Sequence, residues 1–323
     1  MKIITDNPDT TRDYLPPMHE WRPADTPDLQ GSYLSAWRTF GSENRAWICE
    51  SHAYAGFKSR DPIIIIISQA PSSQFADATN ALKECVALPD TLFCLALEGS
   101  NFRGQRNRSW NALKGNLHLT AVYKSDIKAT SIDAGLTMLP AVAAAESIRA
   151  VTENRVAASI KWVNDILIDG KKAAGVLTST QIVGDRIKSV VFGIGMNVKQ
   201  APVLEPTPFV PASTSVADHL GEFQPGLENV FWDIIVRIDN YFDILVSQGP
   251  QPLLEAYREY ADIVGHRVRL WPDSTSDWIK EKPFVSGVVR SIKPDLSLRL
   301  DGVPGPVYKG RLAYEQSCRM LGL

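Results

Sequence analysis

Apolar positions along this 323-residue chain recur with two periods, and the switches between them outline its elements. After Pro62, five consecutive isoleucines at 63–67 read as a strand buried on both faces. Residues 92–97, 117–123 and 189–194 are further apolar runs of strand length, the last ending at Gly195. A helix is expected over 75–86, behind the polar segment 68–74. Another is expected over the alanine-rich 141–151, opened by Pro140, because proline suits a first helical turn. Leu227, Val230, Phe231, Ile234, Ile235, Ile238 and Phe242 recur at helical spacing and predict an amphipathic helix to about residue 246 with a core-facing stripe. A second helix over 252–261 leads to Gly265. Short strands follow at 267–270, 285–292, 296–300 and 307–309, at the spacing of a small antiparallel barrel.

The fold class is therefore α+β, with a mixed sheet packed by helices and a small β-unit at the carboxy terminus. Three units are expected: an amino-terminal extension over 1–61, a catalytic unit over 62–262 and a terminal unit over 263–323. The extension is weakly periodic, with Trp21, Trp37 and Trp47 scattered through it, and its role is not evident from its residues. A proline-rich linker runs over 202–225.

Charge narrows the function classes. Lys+Arg number 34 against 36 Asp+Glu, a formal net charge of −2, so no global field draws the chain to nucleic acid or an anionic membrane. Any anion site must be local. Cys49, Cys85, Cys94 and Cys318 are too dispersed for a zinc site or a disulfide framework, which fits a reducing compartment. The start lacks an apolar leader and no aliphatic run is long enough for a bilayer, so a cytoplasmic location is expected. His19, His52, His118, His219 and His266 show no metal spacing, and His118, within a strand pattern, reads as a core or sheet-edge residue. No Walker lysine motif is present, so any ATP is held differently from that of a P-loop enzyme.

Two segments carry candidate chemistry. In residues 161–177, Lys161, Trp162, Asn164 and Asp165 head an apolar run, Asp169-Gly170 favours a tight hairpin turn, and Gly175 marks a close backbone approach on the returning strand. In residues 102–110, Arg103, Arg106 and Arg108 flank Gly104 and precede Trp110. By themselves they could be an ordinary hairpin with a surface Lys161–Asp165 pair and a solvated basic loop. Together they suit the activation of a carboxylic acid by ATP, which must offset the repulsion of two anions with fixed cations and backbone N–H groups.

The Lys161-Trp162-x-Asn164-Asp165 segment resembles the signature of biotin protein ligases. Residues 102–110 resemble that family's Gly-Arg-Gly-x-x-Gly/Asn-Arg-x-Trp adenylate loop. Gly115-Asn116-Leu117-His118-Leu119 and Gly193-Ile194-Gly195-Met196-Asn197 resemble its next strand and its later Gly-x-Gly-x-Asn, in the same order, and with the terminal unit the resemblance spans about 63–323. It implies a class II synthetase-like catalytic domain with an SH3-like terminal domain, and a two-step reaction. ATP and biotin give biotinyl-adenylate with magnesium screening the phosphates, and a lysine of a biotin carboxyl carrier domain of a biotin-dependent carboxylase then takes the biotinyl group.

By the same resemblance Lys161 and Arg103 are catalytic, and Arg103, Gly104, Gln105, Arg106 and Arg108 surround the adenylate in a loop that orders on ligand binding. Trp110 packs on adenine, Asn164 and Asp165 hold the hairpin or position magnesium and phosphate, and Asn197 orients a loop near the site. Ser72-Ser73-Gln74 stand where the family's vitamin-contacting Ser-Thr-Asn stands. No protein metal site is expected. A homodimer is left open. The helix-turn-helix repressor domain of some members has no counterpart in the first 60 residues, so no nucleic-acid partner is expected. Two departures stand out: Phe102 replaces a glycine, and Gly99 replaces a glutamine that recognises the biotin head group. They leave open a lipoate or octanoate ligase, or a non-catalytic paralogue that binds a carrier protein or small ligand.

Overall fold

The computed structural model describes the chain except for residues 16–19, 26, 42–44, 52–55 and 133, which places His19 and His52 outside the described residues. The first 61 residues supply strands β1 (Lys2–Thr5), β2 (Arg22–Pro23) and β3 (Trp47–Glu50), with helix α1 (Ser32–Phe40) between the last two. The isoleucine run is β4 (Ile63–Ile67), followed by α2 (Gln74–Lys83), β5 (Thr91–Ala96), β6 (Leu117–Lys128) and α3 (Gly135–Val151). Next come β7 (Ala158–Lys161), β8 (Asp165–Ile168), β9 (Lys171–Val183) and β10 (Arg186–Met196). Helices α4 (Leu227–Gln248) and α5 (Gln251–Tyr260) precede β11 (Arg267–Trp271), β12 (Val285–Ile292), β13 (Leu298–Leu300), β14 (Arg311–Tyr314) and α6 (Glu315–Met320).

Strands β1 to β10 form one mixed sheet in the order β2-β3-β1-β4-β5-β6-β10-β9-β8-β7. The β1–β4 and β4–β5 pairs are parallel and the others antiparallel. Because strand side chains alternate, β4 serves both faces. Ile64 and Ile66 join the core that includes residues of α3, α4 and α5, whereas Ile63, Ile65 and Ile67 join the core under α1 and α2. This double burial is what makes the run uniformly apolar.

The amino-terminal residues are thus not a separate layer: β1 lies against β4, pairing Thr5 with Ile66. Their return is anchored at Asp239, a carboxylate buried within α4's otherwise apolar face. Asp239 accepts the backbone N–H of Lys58 at 2.5 Å and of Ser59 at 2.9 Å, and the Ser59 hydroxyl. The expected stripe of α4 is otherwise met, with Phe242 stacked on Tyr123 at 4.2 Å.

Pro140 does not open its helix. α3 begins at Gly135, and Pro140 lies inside it. A proline there has no N–H for the carbonyl of Leu136. Thr178 of β9 supplies the missing donor, its hydroxyl lying 3.0 Å from that carbonyl.

The small sheet at the carboxy terminus is antiparallel, in the order β13-β12-β11-β14. The strand expected over 307–309 is only a bridge from Val307 to Leu298, while β14 and α6 were not anticipated. This sheet shares core with the large one and grips the β7–β8 turn: the Trp162 indole donates to the Leu296 carbonyl at 2.7 Å. From α5, the Tyr257 hydroxyl donates to the Val163 carbonyl at 3.0 Å. No helix among the described residues is long and apolar enough to cross a membrane.

Thr178→Val preserves side-chain shape and strands the Leu136 carbonyl. Denaturant unfolding should show a loss of ~1–3 kcal/mol, the cost of a buried acceptor left unpaired.

Candidate active site

Two cavities meet where β9, β10, the 102–110 loop and the β7–β8 turn converge. The first, about 180 Å³, is walled by Ser73, Phe75, Phe102, Trp110, His118, Leu119, Thr120, Val176, Leu177, Ile194 and Asn197, among others. The second, about 160 Å³, is walled by Arg106, Lys161, Phe209, Lys309 and Arg311, among others. Gln105, Arg108, Asn164 and Asp165 line both and so form their border.

In the first chamber, backbone is exposed where side chains would obstruct. Gly195 pairs with Gly175 across β10 and β9, and a Cβ on Gly195 would lie 2.4 Å from the Trp110 ring. Only glycine lets the indole lie against the strand. The Trp110 indole N–H points to His118 Nδ1 at 3.3 Å, which leaves Nε2 protonated to donate to the Leu113 carbonyl at 3.1 Å. Burial holds the His118 imidazole neutral, pulling its pKa down to about 4 against the opposing pull of the Leu113 bond. The expected buried role for His118 is met, and its ring also walls the chamber, edge-on to Phe102 at 5.7 Å.

Phe102 accounts for its neighbour. A Cβ on Gly99 would lie 2.4 Å from the Phe102 ring and 2.7 Å from the Ala70 carbonyl oxygen, so any longer residue at 99 requires that ring to move. At the other end, Asn197 is 2 % exposed and donates to the Thr214 carbonyl at 3.1 Å. Its Oδ1 has no partner among the described residues.

The 102–110 loop folds on itself. Gly104 N–H donates to the Arg108 carbonyl at 2.7 Å, Arg108 Nε to the Gln105 carbonyl at 3.0 Å, and Arg103 to the Ser109 hydroxyl at 3.2 Å. Within the protein Gly104 is not crowded: a Cβ there would lie 3.7 Å from the Arg108 carbonyl oxygen, an ordinary contact. The left-handed conformations fall instead on Arg106 (φ 57°) and Asn107 (φ 59°). That turn carries Arg106 to Asp273, just past β11, in a 2.7 Å ion pair.

Lys161 is the last residue of β7, not the head of the β8 strand, and is 5 % exposed. Its ammonium donates to the Phe209 carbonyl, from the proline-rich linker. The surface pair with Asp165 is not formed: Asp165 instead binds Lys172 at 2.5 Å. Burial pulls the Lys161 pKa down to about 8, with Asp165 opposing and Lys172, Arg108 and Arg311 adding to the fall. Burial resists the charge on Asp165, but Lys172 and Lys161 outweigh it and hold that carboxyl below its ordinary range. Arg311 sits over the Phe209 ring at 3.7 Å, and burial, with Arg108 and Arg106 nearby, brings its pKa down to about 10. The pocket therefore concentrates positive charge.

The remaining candidates divide. Asn164 holds the hairpin, donating to the Val176 carbonyl at 2.7 Å, and Ser73 walls the chamber. Ser72 turns to Asp77 at 2.6 Å, and Gln74, 1 % exposed, leaves both amide atoms without partners; neither lines either cavity. Lys172, Phe209, Lys309 and Arg311 were missed. Lys172 had a signal in its closeness to the hairpin turn, whereas Arg311 reaches the pocket only through the unanticipated β14. Among the described residues no group of three or more His, Cys, Asp or Glu could hold a metal, so the magnesium expected with ATP finds no carboxylate cage.

Residues 77–197 match the sequence model of the biotin/lipoate A/B protein ligase family. The bifunctional ligase/repressor BirA of Bacillus subtilis is 31% identical over 182 residues, covering 56% of this chain and 55% of that protein. The biotin–acetyl-CoA-carboxylase ligase of Paracoccus denitrificans is 34% identical over 128 residues, 39% of this chain and 53% of that protein. The chain spans about half the length of these curated relatives. Biotin protein ligase from Aquifex aeolicus, solved in complex with biotin and ATP, superposes with a TM-score of 0.59 at 18% identity over 78% of this chain and 98% of that one, which shows a shared fold.

His118 gives the site an acid limit. Its folded pKa of about 4 lies below the unfolded value of 6.5, so the unfolded chain takes up the proton first and stability falls as pH drops from 6.5 towards 4. The loss from this residue should reach roughly 3 kcal/mol by pH 4. Denaturant unfolding of the parent and His118→Gln at pH 7 and pH 4 should show that much less acid sensitivity in the variant.

Proposed function

We propose that this chain, whose residues 77–197 belong to the biotin/lipoate A/B protein ligase family, is an ATP-dependent biotin protein ligase. The observation that carries the reading is the shared border of the two cavities at Gln105, Arg108, Asn164 and Asp165. The chamber would take the acid and the nucleoside, with Asn197, whose buried Oδ1 lacks a partner among the described residues, in its wall. The cationic pocket would take the polyphosphate. The names of the relatives and of the ligand-bound neighbour support biotin and ATP as substrates and a carboxylase carrier domain as acceptor.

The first step joins the acid's carboxylate oxygen to the α-phosphorus and breaks its bond to the bridging oxygen of pyrophosphate, which leaves. Lys161, Arg108 and Arg311 would offset the charge that gathers on the departing group in a pocket where water screens poorly. For Lys161 to approach phosphate, its ammonium must exchange the Phe209 carbonyl for the incoming anion. An unprotonated acceptor lysine then attacks the acyl carbon, AMP leaves, and the proton passes to solvent. Magnesium would arrive on the nucleotide's phosphates and screen their charge.

Gly99 and Phe102 favour a second reading, a lipoate or octanoate ligase, because a phenyl ring fills the space beside Gly99 where the family's glutamine would project. Pyrophosphate release with biotin, lipoate and octanoate in parallel separates the two, and silence with all three would refute both.

With the preferred acid, Lys161→Ala should slow pyrophosphate release by roughly 10²–10³-fold, the usual cost of one transition-state donor. In the parent, kcat/KM for ATP should decline above about pH 8 as the ammonium of the free enzyme loses its proton, with kcat holding to higher pH because the bound polyphosphate keeps it charged. Phe102→Ala removes an apolar wall worth about 1.5–3 kcal/mol, so the KM for the preferred acid should rise about 10-fold or more with the KM for ATP unchanged.

A further inference from the structure

The acid end of the chamber is walled by Ser73, which closes the loop between β4 and α2, and by Phe75 on α2. The β4–β5 ladder ends at Ile67, which pairs with Ala96 and whose carbonyl takes the N–H of Leu97 at 2.9 Å; past it a single parallel bridge joins Ala70 to Gly99, with Ala70 N–H donating to the Glu98 carbonyl at 2.9 Å. Beyond it the loop is held from two sides. On one side lies the 98–101 segment, where Ser100 N–H reaches the Ala70 carbonyl at 3.0 Å. The Ser100 hydroxyl and Asn101 amide both reach the Pro71 carbonyl at 3.2 Å. On the other side lies the turn that follows β1. One Asp6 oxygen, Oδ1, accepts Ser68 N–H at 2.9 Å and the Ser68 hydroxyl at 2.8 Å. Thr10 Oγ1 lies 2.8 Å from the same hydroxyl.

That clamp is built into the amino-terminal segment. Pairing β1 with β4 in parallel, Thr5 beside Ile66, delivers Asp6 to the point where β4 gives way to the loop. The Asn7 side chain accepts Asp9 N–H at 3.1 Å and caps a short helical turn over Pro8–Thr11, which sets Thr10 in place. A carboxylate receiving two hydrogen bonds is a stronger tether than a neutral acceptor.

We propose that Asp6 is a positioning residue for the acid site: through Ser68 it fixes the 68–73 loop that carries Ser73 into the chamber wall. The inference rests on the acid-activating reading above and gives the first 61 residues a part in it. Asp6 itself lines neither cavity, so its effect is on how well the acid is held. The β1–β4 ladder does not depend on its side chain.

The test compares Asp6→Ala, Asp6→Asn and Ser68→Ala in the full chain. Backbone hydrogen exchange is followed at residues 68–73, together with pyrophosphate-release kinetics for biotin, lipoate or octanoate, whichever the parent uses. Asp6→Ala should speed exchange at 68–73 about 10-fold or more while β9 and β10 keep their protection. It should raise the KM for the acid about 5- to 10-fold, with kcat and the KM for ATP within about two-fold of the parent. Asp6→Asn, which keeps an acceptor oxygen, should return both readouts most of the way, and Ser68→Ala should move them in the direction of Asp6→Ala. Unchanged exchange and acid KM in Asp6→Ala would overturn the proposal. So would a loss shared equally by kcat and both KM values, or no rescue by Asp6→Asn. A parent that releases no pyrophosphate with any acid would overturn the ligase reading, and with it a role in acid binding. The exchange arm would then still decide whether Asp6 holds the loop.

Discussion

The burial of the Lys161 ammonium is the constraint on which the rest of the site depends. A cation at 5 % exposure needs compensation, and here it comes from a backbone carbonyl of Phe209 and the field of Asp165. Asp165 is itself bound by Lys172, while Arg108 and Arg311 press on Lys161 from other directions. The compensation is incomplete, as the depressed pKa values of Lys161 and Arg311 record. An incoming polyanion would relieve the excess, so the charges that make the empty pocket costly are those that would make the loaded one stable. Opposed charges in a poorly screened pocket can act this way only if held in place.

Much of the chain does the holding. Lys161 is placed by the end of β7, and the turn after it is gripped by Leu296 of the small sheet and Tyr257 of α5. The same small sheet sends Arg311 into the pocket and, through Asp273, ties down Arg106 of the 102–110 loop. The small sheet is therefore a structural partner of the large one, because the cationic pocket has walls from both units. The opposite flank is secured in the same manner, by β1 lying against β4.

What could be read from the sequence was local. The isoleucine strand, the stripe of α4 and the Asp169-Gly170 turn, whose residues have φ of 49° and 72°, each follow from a few consecutive residues. The basic loop and the hairpin also declared themselves through residue types at short spacing. What escaped notice depended on distant partners. Strands β1 to β3 gain their identity from the isoleucine strand's unpaired side. Pro140 is tolerated inside α3 because Thr178 supplies a donor. Asp239 interrupts a stripe because the 57–59 segment arrives there with its N–H groups. Arg311 becomes a pocket residue through β14, a strand too short to signal itself. Lys161 was recognised, but its burial and its Phe209 partner lay beyond any local pattern.

The chamber's geometry also says where selectivity must reside. With Gly99 closed over by Phe102 and both nitrogens of His118 committed within the protein, that corner offers shape and little hydrogen bonding. An apolar wall separates acids differing by one methylene by only about 1–3 kcal/mol. Sharper discrimination needs a buried polar group that pays a penalty when the wrong ligand leaves it unpaired. Asn197 Oδ1 is such a group: it is a buried acceptor without a partner among the described residues, on a side chain that lines the chamber, and its amide nitrogen is fixed by the Thr214 carbonyl so that it cannot turn to another partner without breaking that bond. A ligand with a donor there recovers about 1–3 kcal/mol that one without it forgoes. The division of labour is then physical: aromatic rings set the size of what enters, and the unpaired amide oxygen at the other end sets which hydrogen-bonding pattern is retained.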